Sequence, residues 1–514
     1  MAFKCIFAGC CSACFELENS SPYRADKPYS VKLDGVTVLK EKRENVFSLF
    51  GLSAGTEHTV QLSDGSSHVF RTKPQSAALD VRTFGARGDG VTDDTNAIQA
   101  AVFACSENGK ITVPAGEYRI RPLVLKSFIT LELQKGAKLL ASSDTQDYPV
   151  WPALAGKADD GSDVICSAWE GRPRACHQSV LSAHFAREIF IVGEGVIDGG
   201  ASGSQWWVEP KKREAGRPRI LFLNGCSECA LHGVTVCSSP SWNLHPYRSK
   251  NIAFYDITVN APADSPNTDG CDPESCDGVD IIGARFSVGD DAIAIKSGKA
   301  EGSNTAFPKA ARHTIRNCLM QSAHGAVVLG SELSGGIEEL SVSQCLFIDT
   351  DRGLRIKTRR GRGRFAEVDG VRFENIAMRG VKTPFVINMF YFCDEDGKSE
   401  YVQSKMALPV DDRTPYLGRF TFKDIVCEDC QSAAGWFYGL PERPIESVEL
   451  DNVSIRFSKA PAPFVPAMMI GCGERAGQGL FFYNVSFVRL KNVAVENLLG
   501  ERLTLDENVM LTED

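Results

Sequence analysis

Four short segments of this chain carry acidic, imidazole and cationic side chains in an order that suits acid–base chemistry. Asp290 follows Asp269 by 21 residues, His324 follows Asp291 by 33, and Arg355 follows His324 by 31. If each interval is one coil of a stacked β-structure, equivalent positions lie about 4.8 Å apart. One surface would then carry three carboxylates, an imidazole and two cations. The segments are Asn267-Thr268-Asp269, Gly289-Asp290-Asp291, Ala323-His324-Gly325 and Arg355-Ile356-Lys357.

This set of side chains suits the hydrolysis of an acetal. One carboxyl group must protonate the leaving oxygen, and a second group must activate water or attack the sugar. Crowded carboxylates cannot all ionise easily, so the pKa of one rises and that group can act as the acid. Arg355 and Lys357 alternate along a strand and therefore share a face, where they can bind a carboxylate of the substrate. The sequence predicts cleavage of an anionic sugar chain without a metal or cofactor.

Each segment taken alone has a simpler explanation. Asp-Asp pairs are common on loops, Asn-Thr-Asp-Gly is typical of a turn, and a lone histidine such as His324 is more often structural. The basic stretch 349–364 can be a solvated surface. The hypothesis therefore depends on the four segments occurring together, in this order and at these intervals.

The elements that must position these segments are short strands that recur every 25 to 35 residues or so along most of the chain. Strands at a fixed period, without intervening helices, predict an all-β solenoid, and we expect a right-handed parallel β-helix over residues 80–514. The blades of a β-propeller need about 40 residues each, which is more than these intervals provide. One helix is expected near 93–103, where it would cap the first coil. The recurring triplets are 252–254, 279–281, 313–315, 340–342, 371–373, 420–422, 448–450 and 488–490.

Residues 1–75 differ in character and predict a small β-sandwich domain. Asp34-Gly35 between two alternating runs is typical of a hairpin. The run 52–60 resembles the L-x-x-G-T-x-Y-x-V pattern of fibronectin type III domains, with His58 in place of the tyrosine. We interpret the apolar segment 5–18 as one first strand rather than a signal sequence, because its apolar run is short and no cleavage site follows.

Composition restricts the class of protein. The net charge of −9 and the pI near 5.6 argue against a nucleic-acid-binding protein. No stretch approaches 18 apolar residues, so no membrane partner is expected. The 18 cysteines are scattered, and without a signal peptide they fit buried thiols in a reducing compartment better than disulfides. We therefore expect a cytoplasmic protein, either a monomer or a small homo-oligomer.

The four segments resemble the motif set of glycoside hydrolase family 28, the polygalacturonases, which is N-T-D, D-D, G-H-G and R-I-K. The resemblance extends over about residues 80 to 500 and includes 84–94 and 193–200. Ala323 replaces the first glycine of G-H-G. The resemblance implies a parallel β-helix that hydrolyses polygalacturonate or oligogalacturonides with inversion.

The resemblance also implies a role for each residue. Asp290 would be the general acid, and Asp269 and Asp291 would position and deprotonate the water. His324 would set the protonation of this cluster. The substrate would be contacted by Arg355, Lys357, Tyr391, Asn267, His245 and Glu332.

The segment Asp272-Pro273-Glu274-Ser275, which follows the N-T-D motif, resembles that of bacterial exo-acting members with an N-terminal fibronectin-like module. Exo action requires loops that block one end of the cleft, and segments 145–178 and 393–417 are long enough. The alternatives are endo action, hydrolysis of rhamnogalacturonan or xylogalacturonan, and a non-enzymatic β-helix that binds glycans. A pectate lyase would share the β-helix but would need calcium-binding carboxylates.

Overall fold

Stacked parallel strands form most of the molecule. The computed structural model describes residues 1–210, 213–300 and 306–514. From Ala78 onward, parallel strands pair from coil to coil in sheets of 24, seven and four strands. This architecture is the predicted parallel β-helix, and its strands fall into three stacks that run along its length.

The first stack contains all eight predicted triplets, paired in register. Ile252 pairs with Val279 and Val279 with His313, and the same register continues to the pair formed by Val448 and Val488. The strands are Ala78–Asp80, Gly109–Val113, Ile129–Leu133, Ile189–Gly193, Ser227–His232, Lys250–Tyr255, Asp277–Ile282, Ala310–Arg316, Ile337–Ser343, Glu367–Arg379, Arg419–Cys430, Ile445–Phe457, Val485–Glu496 and Met510–Glu513.

A residue with left-handed backbone links the first stack to the second in many coils. Asn317 and Gln344 both have a φ of 53°, and Asn452 has a φ of 57°. Short polar side chains, asparagine above all, tolerate this conformation, which explains why polar residues recur after the triplets. The second stack contains Asp89–Asp93, Gly116–Ile120, Ala137–Ala141, Val196–Asp198, Thr235–Cys237, Thr258–Asn260, Arg285–Ser287, Leu319–Gln321 and Leu346–Ile348.

The third stack carries the four segments that contain the candidate catalytic residues. It is built from two sheets, which isolated bridges at Cys271 connect through Leu244 and Ile293. Its strands are Leu123–Val124, Leu181–His184, Leu221–Asn224, Leu244–Tyr247, Ile293–Ile295, Val327–Gly330, Arg352–Lys357, Thr383–Asn388, Ala433–Tyr438, Gln478–Tyr483 and Leu503–Leu505.

Apolar side chains from the three stacks fill the interior of the coil, and the helix Thr95–Ala104 covers its N-terminal end. Ile98 and Val102 of this helix are fully buried against the same core as Val81, so the predicted cap is confirmed. The other elements are the short helices Val81–Phe84, Thr145–Asp147, Gln205–Trp207 and Glu400–Gln403, the strand Tyr416–Leu417, and the strands Val150–Trp151, Leu154–Lys157, Asp163–Ile165, Ala168–Trp169, Arg172–Pro173 and Cys176–His177.

The N-terminal strands form two antiparallel sheets, of three and four strands, as expected for a small β-sandwich. The prediction of one strand over 5–18 was wrong. Gly9 donates its N–H to the carbonyl of Ser12 at 2.8 Å and closes a turn, so the segment is a hairpin. The strands are Phe3–Ala8, Ser12–Leu17, Arg24–Leu33, Val36–Glu44, Val46–Phe50, Glu57–Leu62 and Ser67–Arg71.

Buried polar contacts attach this N-terminal module to the outer face of the β-helix. Glu16 accepts from Arg316 at 2.6 and 2.8 Å and from Asn317 at 2.8 Å. The ring of His232 bridges the hydroxyls of Ser12 and Ser48. All 18 cysteines are free thiols. Among the described residues, no helix has the length and apolar character to cross a membrane.

Candidate active site

The four segments lie side by side at the third stack because backbone hydrogen bonds join them coil to coil. Gly270 donates to the carbonyl of Asp291 at 2.9 Å, and Ala292 donates to that of Gly325 at 2.8 Å. Gly325 is required for this approach, since a Cβ there would lie 2.4 Å from Val328 and 3.2 Å from a carboxylate oxygen of Asp291. The predicted stacking of these segments is therefore present in the fold.

Three carboxylates meet at the centre of this surface. One oxygen from each of Asp269, Asp290 and Asp291 lies within 4.8 Å of the other two. Such a group can hold a cation in principle, but Asp291 is already paired with two cationic side chains, which weakens its attraction for a third. The cluster is thus suited to proton transfer rather than to metal binding.

Asp291 is the carboxylate held in the ionised form. Its two oxygens accept from Arg355 Nη1 at 3.1 Å and from Lys357 Nζ at 2.7 Å. Burial alone would raise the pKa of Asp291, but the charges of Lys357 and Arg355 outweigh burial and hold this pKa well below its usual range. Asp291 therefore stays a carboxylate, which is the state that a general base needs.

Asp269 has the opposite tendency. It is fully buried, and burial together with the neighbouring charges of Asp272 and Asp290 raises the pKa of Asp269 well above its usual value. The cluster therefore retains a proton at a pH at which a free carboxyl group would have lost it. The sequence argument expected a raised pKa on one carboxyl group of the cluster, and in the structure Asp269 has it.

Asp290 faces the open side of the cluster beside His324. The Nδ1 of His324 lies 3.3 Å from Asp290 Oδ1, and about half of the histidine side chain is exposed. Its hydrogen bond to Asp290 raises the pKa of His324, although burial opposes this shift. The pair places a titratable imidazole next to the carboxyl group that is most accessible to a substrate.

A cavity of ≈ 530 Å³ surrounds this cluster. Segment 145–178 reaches it through Trp169, and segment 393–417 reaches it through Asp394. Its lining residues are Trp169, Glu170, Arg174, Pro210, Arg213, Ala215, Gly216, Arg217, Trp242, Asn267, Asp269, Asp290, Asp291, Lys296, Lys299, His324, Ser331, Glu332, Arg355, Lys357, Tyr391, Cys393, Asp394 and Met468. None of these residues belongs to the N-terminal module.

Lys299 connects the two long segments across the cavity wall. Its backbone N–H donates to the carbonyl of Gly171 at 2.9 Å, and its ammonium contacts Asp394 at 2.6 Å. Asp394 also accepts from Arg359 at 2.8 Å and from Arg362 at 2.5 Å. Both segments are therefore linked to each other at the cavity wall.

The predicted substrate-contacting residues lie in the cavity wall with one exception. Asn267, Glu332 and Tyr391 all line the cavity, and the ammonium of Lys357 lies 5.9 Å from the centre of the Tyr391 ring. His245 does not line it, and the prediction that it contacts substrate is corrected. This ring has no exposed surface, because it packs edge-on against Trp242 and its Nε2 lies 3.2 Å from Glu274.

Sequence reasoning missed Lys296, which lies at the floor of the cavity. Its Nζ lies 3.2 Å from Glu332 and 3.4 Å from Asp272. Burial opposes ionisation of Glu332, but the charge of Lys296 lowers the pKa of that carboxyl group to about 2. The signal was present in the sequence, because the Ile-Lys pair recurs: Lys296 directly follows the strand Ile293–Ile295, and Lys357 ends the strand Arg352–Lys357.

Comparisons with known proteins agree with this geometry. The family model described as Glycosyl hydrolases family 28 matches residues 106–460, and one described as Rhamnogalacturonase A/epimerase, pectate lyase-like, matches residues 78–132. The first match covers more than half of the chain. The chain therefore belongs to glycoside hydrolase family 28, and it is a glycoside hydrolase.

Several similar proteins align with most of this chain. A probable polygalacturonase from Vitis vinifera is 32% identical over 74% of this chain and 75% of its own length. An exo-poly-alpha-D-galacturonosidase from Dickeya chrysanthemi is 26% identical over 74% of this chain and 68% of its own. The solved family 28 exopolygalacturonase of Yersinia enterocolitica is 19% identical, covers 100% of this chain and 98% of its own, and superposes with a TM-score of 0.72, which establishes the shared fold.

Proposed function

We propose that this protein is an exo-acting hydrolase of α-1,4-linked galacturonan that releases sugars from the end of polygalacturonate or oligogalacturonide chains. The observation that carries the proposal is the cluster of Asp269, Asp290 and Asp291, placed with Arg355 and Lys357 in one cavity whose wall includes both long segments. Relatives named exo-poly-alpha-D-galacturonosidase and exopolygalacturonase support this reading, as does the family to which the chain belongs.

The cleavage step assigns one task to each carboxyl group. Asp290, on the open side of the cluster, donates its proton to the glycosidic oxygen as the bond from that oxygen to the anomeric carbon breaks. A water molecule attacks the same carbon, and Asp291 takes a proton from that water. Asp269, whose pKa is raised by burial and by the neighbouring carboxylates, orients the water by a hydrogen bond. Between turnovers Asp291 releases its proton to solvent, and Asp290 takes up a proton by way of His324.

The preference for a uronide follows from Arg355 and Lys357. Each contributes one contact to Asp291, and each has further N–H donors that remain available for a sugar carboxylate. A carboxylate bound here lies next to the base and beside the bond that is cleaved. Neutral sugars would lack this interaction and would leave buried cations poorly compensated.

Exo action is supported by the contacts of Lys299. Segments 145–178 and 393–417 both meet at this lysine, and we propose that together they block that side of the cavity to a long chain. A substrate that enters from the open side then stops after a small number of sugars. An endo-acting enzyme needs a cleft that is open at both ends.

Inversion is proposed on the family resemblance. The carboxylate oxygens lie within 4.8 Å of one another, which is closer than the window of about 6.5–9.5 Å that is usual between the carboxyl groups of inverting enzymes. Proton NMR of the first-formed anomer tests this point: a β-anomer from the α-linked substrate indicates inversion, and an α-anomer contradicts it.

We also propose a cytoplasmic location, which the 18 free cysteines support. The proposed function itself is tested by incubating the protein with polygalacturonate and identifying the products. Saturated mono- or digalacturonate supports the proposal. Unsaturated products would identify a lyase, and the absence of any cleavage would leave a glycan-binding protein as the better interpretation.

A further inference from the structure

Arg217 is a buried cation in the cavity wall, several coils before the one that carries Arg355 and Lys357. Its side chain is 1% exposed. Nη1 donates to the carbonyls of Pro240 at 2.8 Å and Pro266 at 2.9 Å, and Nη2 donates to Asn267 Oδ1 at 2.6 Å. These four residues all precede the catalytic segment Gly289-Asp290-Asp291 in the chain and lie on earlier coils.

The guanidinium of Arg217 forms no ion pair with a carboxylate among the described residues, although the charges of Asp269 and Glu170 act on it from beyond hydrogen-bond distance. All of its hydrogen bonds go to neutral oxygens, and its Nε is buried without an acceptor. A buried charge without a counter-ion is costly, and cationic groups in protein interiors are normally paired. Arg355 and Lys357 differ in this respect, because both are paired with Asp291.

Other cations and aromatic rings surround Arg217. Arg174 and Arg213 line the same wall, and Arg174 donates to the backbone carbonyl of Arg213 at 3.1 Å. Neither forms an ion pair with a carboxylate in the part of the chain that the structure describes. The Arg217 guanidinium lies 5.7 Å from the ring centre of Trp169, which stacks on Trp242 at 5.6 Å. Glu170 also lines this wall, so its negative charge offsets part of the positive charge of the three arginines.

The guanidinium is held rigidly, which matters for recognition. Three hydrogen bonds and the Trp169 ring fix its plane, so little side-chain entropy is lost when a ligand binds. Burial, together with the charge of Arg213, lowers the pKa of Arg217 to about 10, which still leaves it protonated near neutral pH. A bound anion would supply the missing counter-charge.

We propose that Arg217, supported by Arg174 and Arg213, forms a second uronate subsite that binds the carboxylate of the sugar across the scissile bond from the one held by Arg355 and Lys357. In an α-1,4-linked galacturonan every sugar carries a carboxylate, so two adjacent sugars present two anionic groups. The three catalytic carboxylates lie between the two sets of cations. The subsite makes the enzyme select for charge on both sides of the bond that it cleaves.

This inference rests on the proposed function, and it predicts a specific pattern of substrate discrimination. The test substrates are two galacturonate oligomers that differ only in whether the sugar across the bond is a free acid or a methyl ester. Wild-type enzyme should cleave the acid with a kcat/KM about 10- to 100-fold higher than the ester, as expected for one charge-assisted hydrogen-bonded contact.

Arg217→Gln should lose most of this discrimination, chiefly through a higher KM for the free acid, and should cleave the ester about as well as wild type does. Arg217→Lys keeps the charge without the planar donor set and should retain part of the discrimination. Arg217 also holds two carbonyls and Asn267, so thermal unfolding of each variant is measured in parallel. A purely positioning role would reduce cleavage of acid and ester by the same factor.

The outcomes separate this inference from the proposed function. Equal discrimination in wild type and Arg217→Gln would overturn the subsite while leaving the hydrolase intact, and so would an equal loss on both substrates. If Arg217→Gln does not fold, Arg217→Lys decides: a partial loss of discrimination supports the subsite, and unchanged discrimination in this variant overturns the assignment to Arg217. Absence of any hydrolysis by the wild type would overturn both proposals.

Discussion

Lys357 and Asp291 form an ion pair of 2.7 Å inside the cavity, whereas the sequence predicts that Lys357 binds the substrate and that Asp291 acts on the attacking water. The pairing keeps Asp291 ionised next to two other carboxyl groups. It also gives Lys357 two tasks, because the same ammonium that stabilises the base lies where a sugar carboxylate must bind. Lys357 therefore links the pKa of the base Asp291 to the binding of the negative charge on the substrate.

Replacing the carboxyl group of the general acid with an amide should strongly reduce turnover. Asp290→Asn is expected to reduce kcat by about 100- to 10,000-fold, which is the range for loss of one general acid or base. Asp280→Asn is the matched control, because Asp280 lies on the outer face of the β-helix beside the N-terminal module. Circular dichroism and thermal unfolding should be unchanged in both variants. Near-wild-type activity of Asp290→Asn would contradict the assignment.

Loss of the cation beside the base should move the pH profile. In Lys357→Met the pKa of Asp291 rises, because the charge that lowered it is gone, so the base becomes protonated at a higher pH. The acidic limb of the kcat profile should therefore shift to higher pH, and KM for oligogalacturonides should rise. Lys309→Met, which breaks an exposed pair with Glu338, serves as control. An unshifted acidic limb would mean that Asp291 is not the base.

Opening the closed side of the cavity should change the products. Lys299→Met removes the ammonium contact with Asp394 and thereby weakens the link between segments 145–178 and 393–417, while Arg359 and Arg362 still bind Asp394. Longer oligogalacturonides should then appear early in digests of polygalacturonate, and the viscosity of the substrate should fall faster per bond cleaved. Lys309→Met should leave both readouts unchanged. A product pattern identical to that of wild type would show that these segments do not set exo action.

The contact between the N-terminal module and the β-helix should depend on pH. Burial alone would raise the pKa of Glu16. The hydrogen bonds and charge of Arg316 lower this pKa by a larger amount, so the net shift is downward. The stabilisation from this carboxylate is thus present above its unfolded pKa of about 4.3 and is lost as the pH falls through the folded value. Glu16→Gln should cost about 3 kcal/mol at pH 7.

Chemical denaturation at pH 7 and at pH 3.5 measures this effect. The difference in the free energy of unfolding between wild type and Glu16→Gln should be smaller at the lower pH. Glu18→Gln, a neighbouring exposed position, should show no difference at either pH. An equal cost of Glu16→Gln at both pH values would mean that the ion pair with Arg316 does not stabilise the fold.

Local periodicity was enough to predict the β-helix and the stacking of the catalytic segments. The triplets pair in the register that their spacing implies, because each coil repeats the same alternation of buried and exposed residues. The hairpin at Gly9 was missed because a run of small apolar residues looks continuous in sequence. That the first 75 residues resemble a fibronectin type III domain stays a prediction.

The remaining site residues depend on contacts between distant parts of the chain. His245 is enclosed because Trp242 and Glu274 surround it, which its own neighbourhood in sequence does not show. Arg217 and Lys299 reach the cavity from segments without a motif, and their importance depends on partners such as Asn267 and Asp394. The roles of such residues can be recognised only from the three-dimensional arrangement of the coils and of the long insertions between them.

A time course of the products from long polygalacturonate tests the central claim most directly. Wild-type protein is incubated with the polymer, and samples from the first minutes onward are separated by anion-exchange chromatography and identified by mass spectrometry. Exo-acting hydrolysis predicts that one saturated short product, monogalacturonate or digalacturonate, is present from the earliest sample and stays dominant. A mixture of chain lengths at early times, or products that carry a double bond, would contradict it.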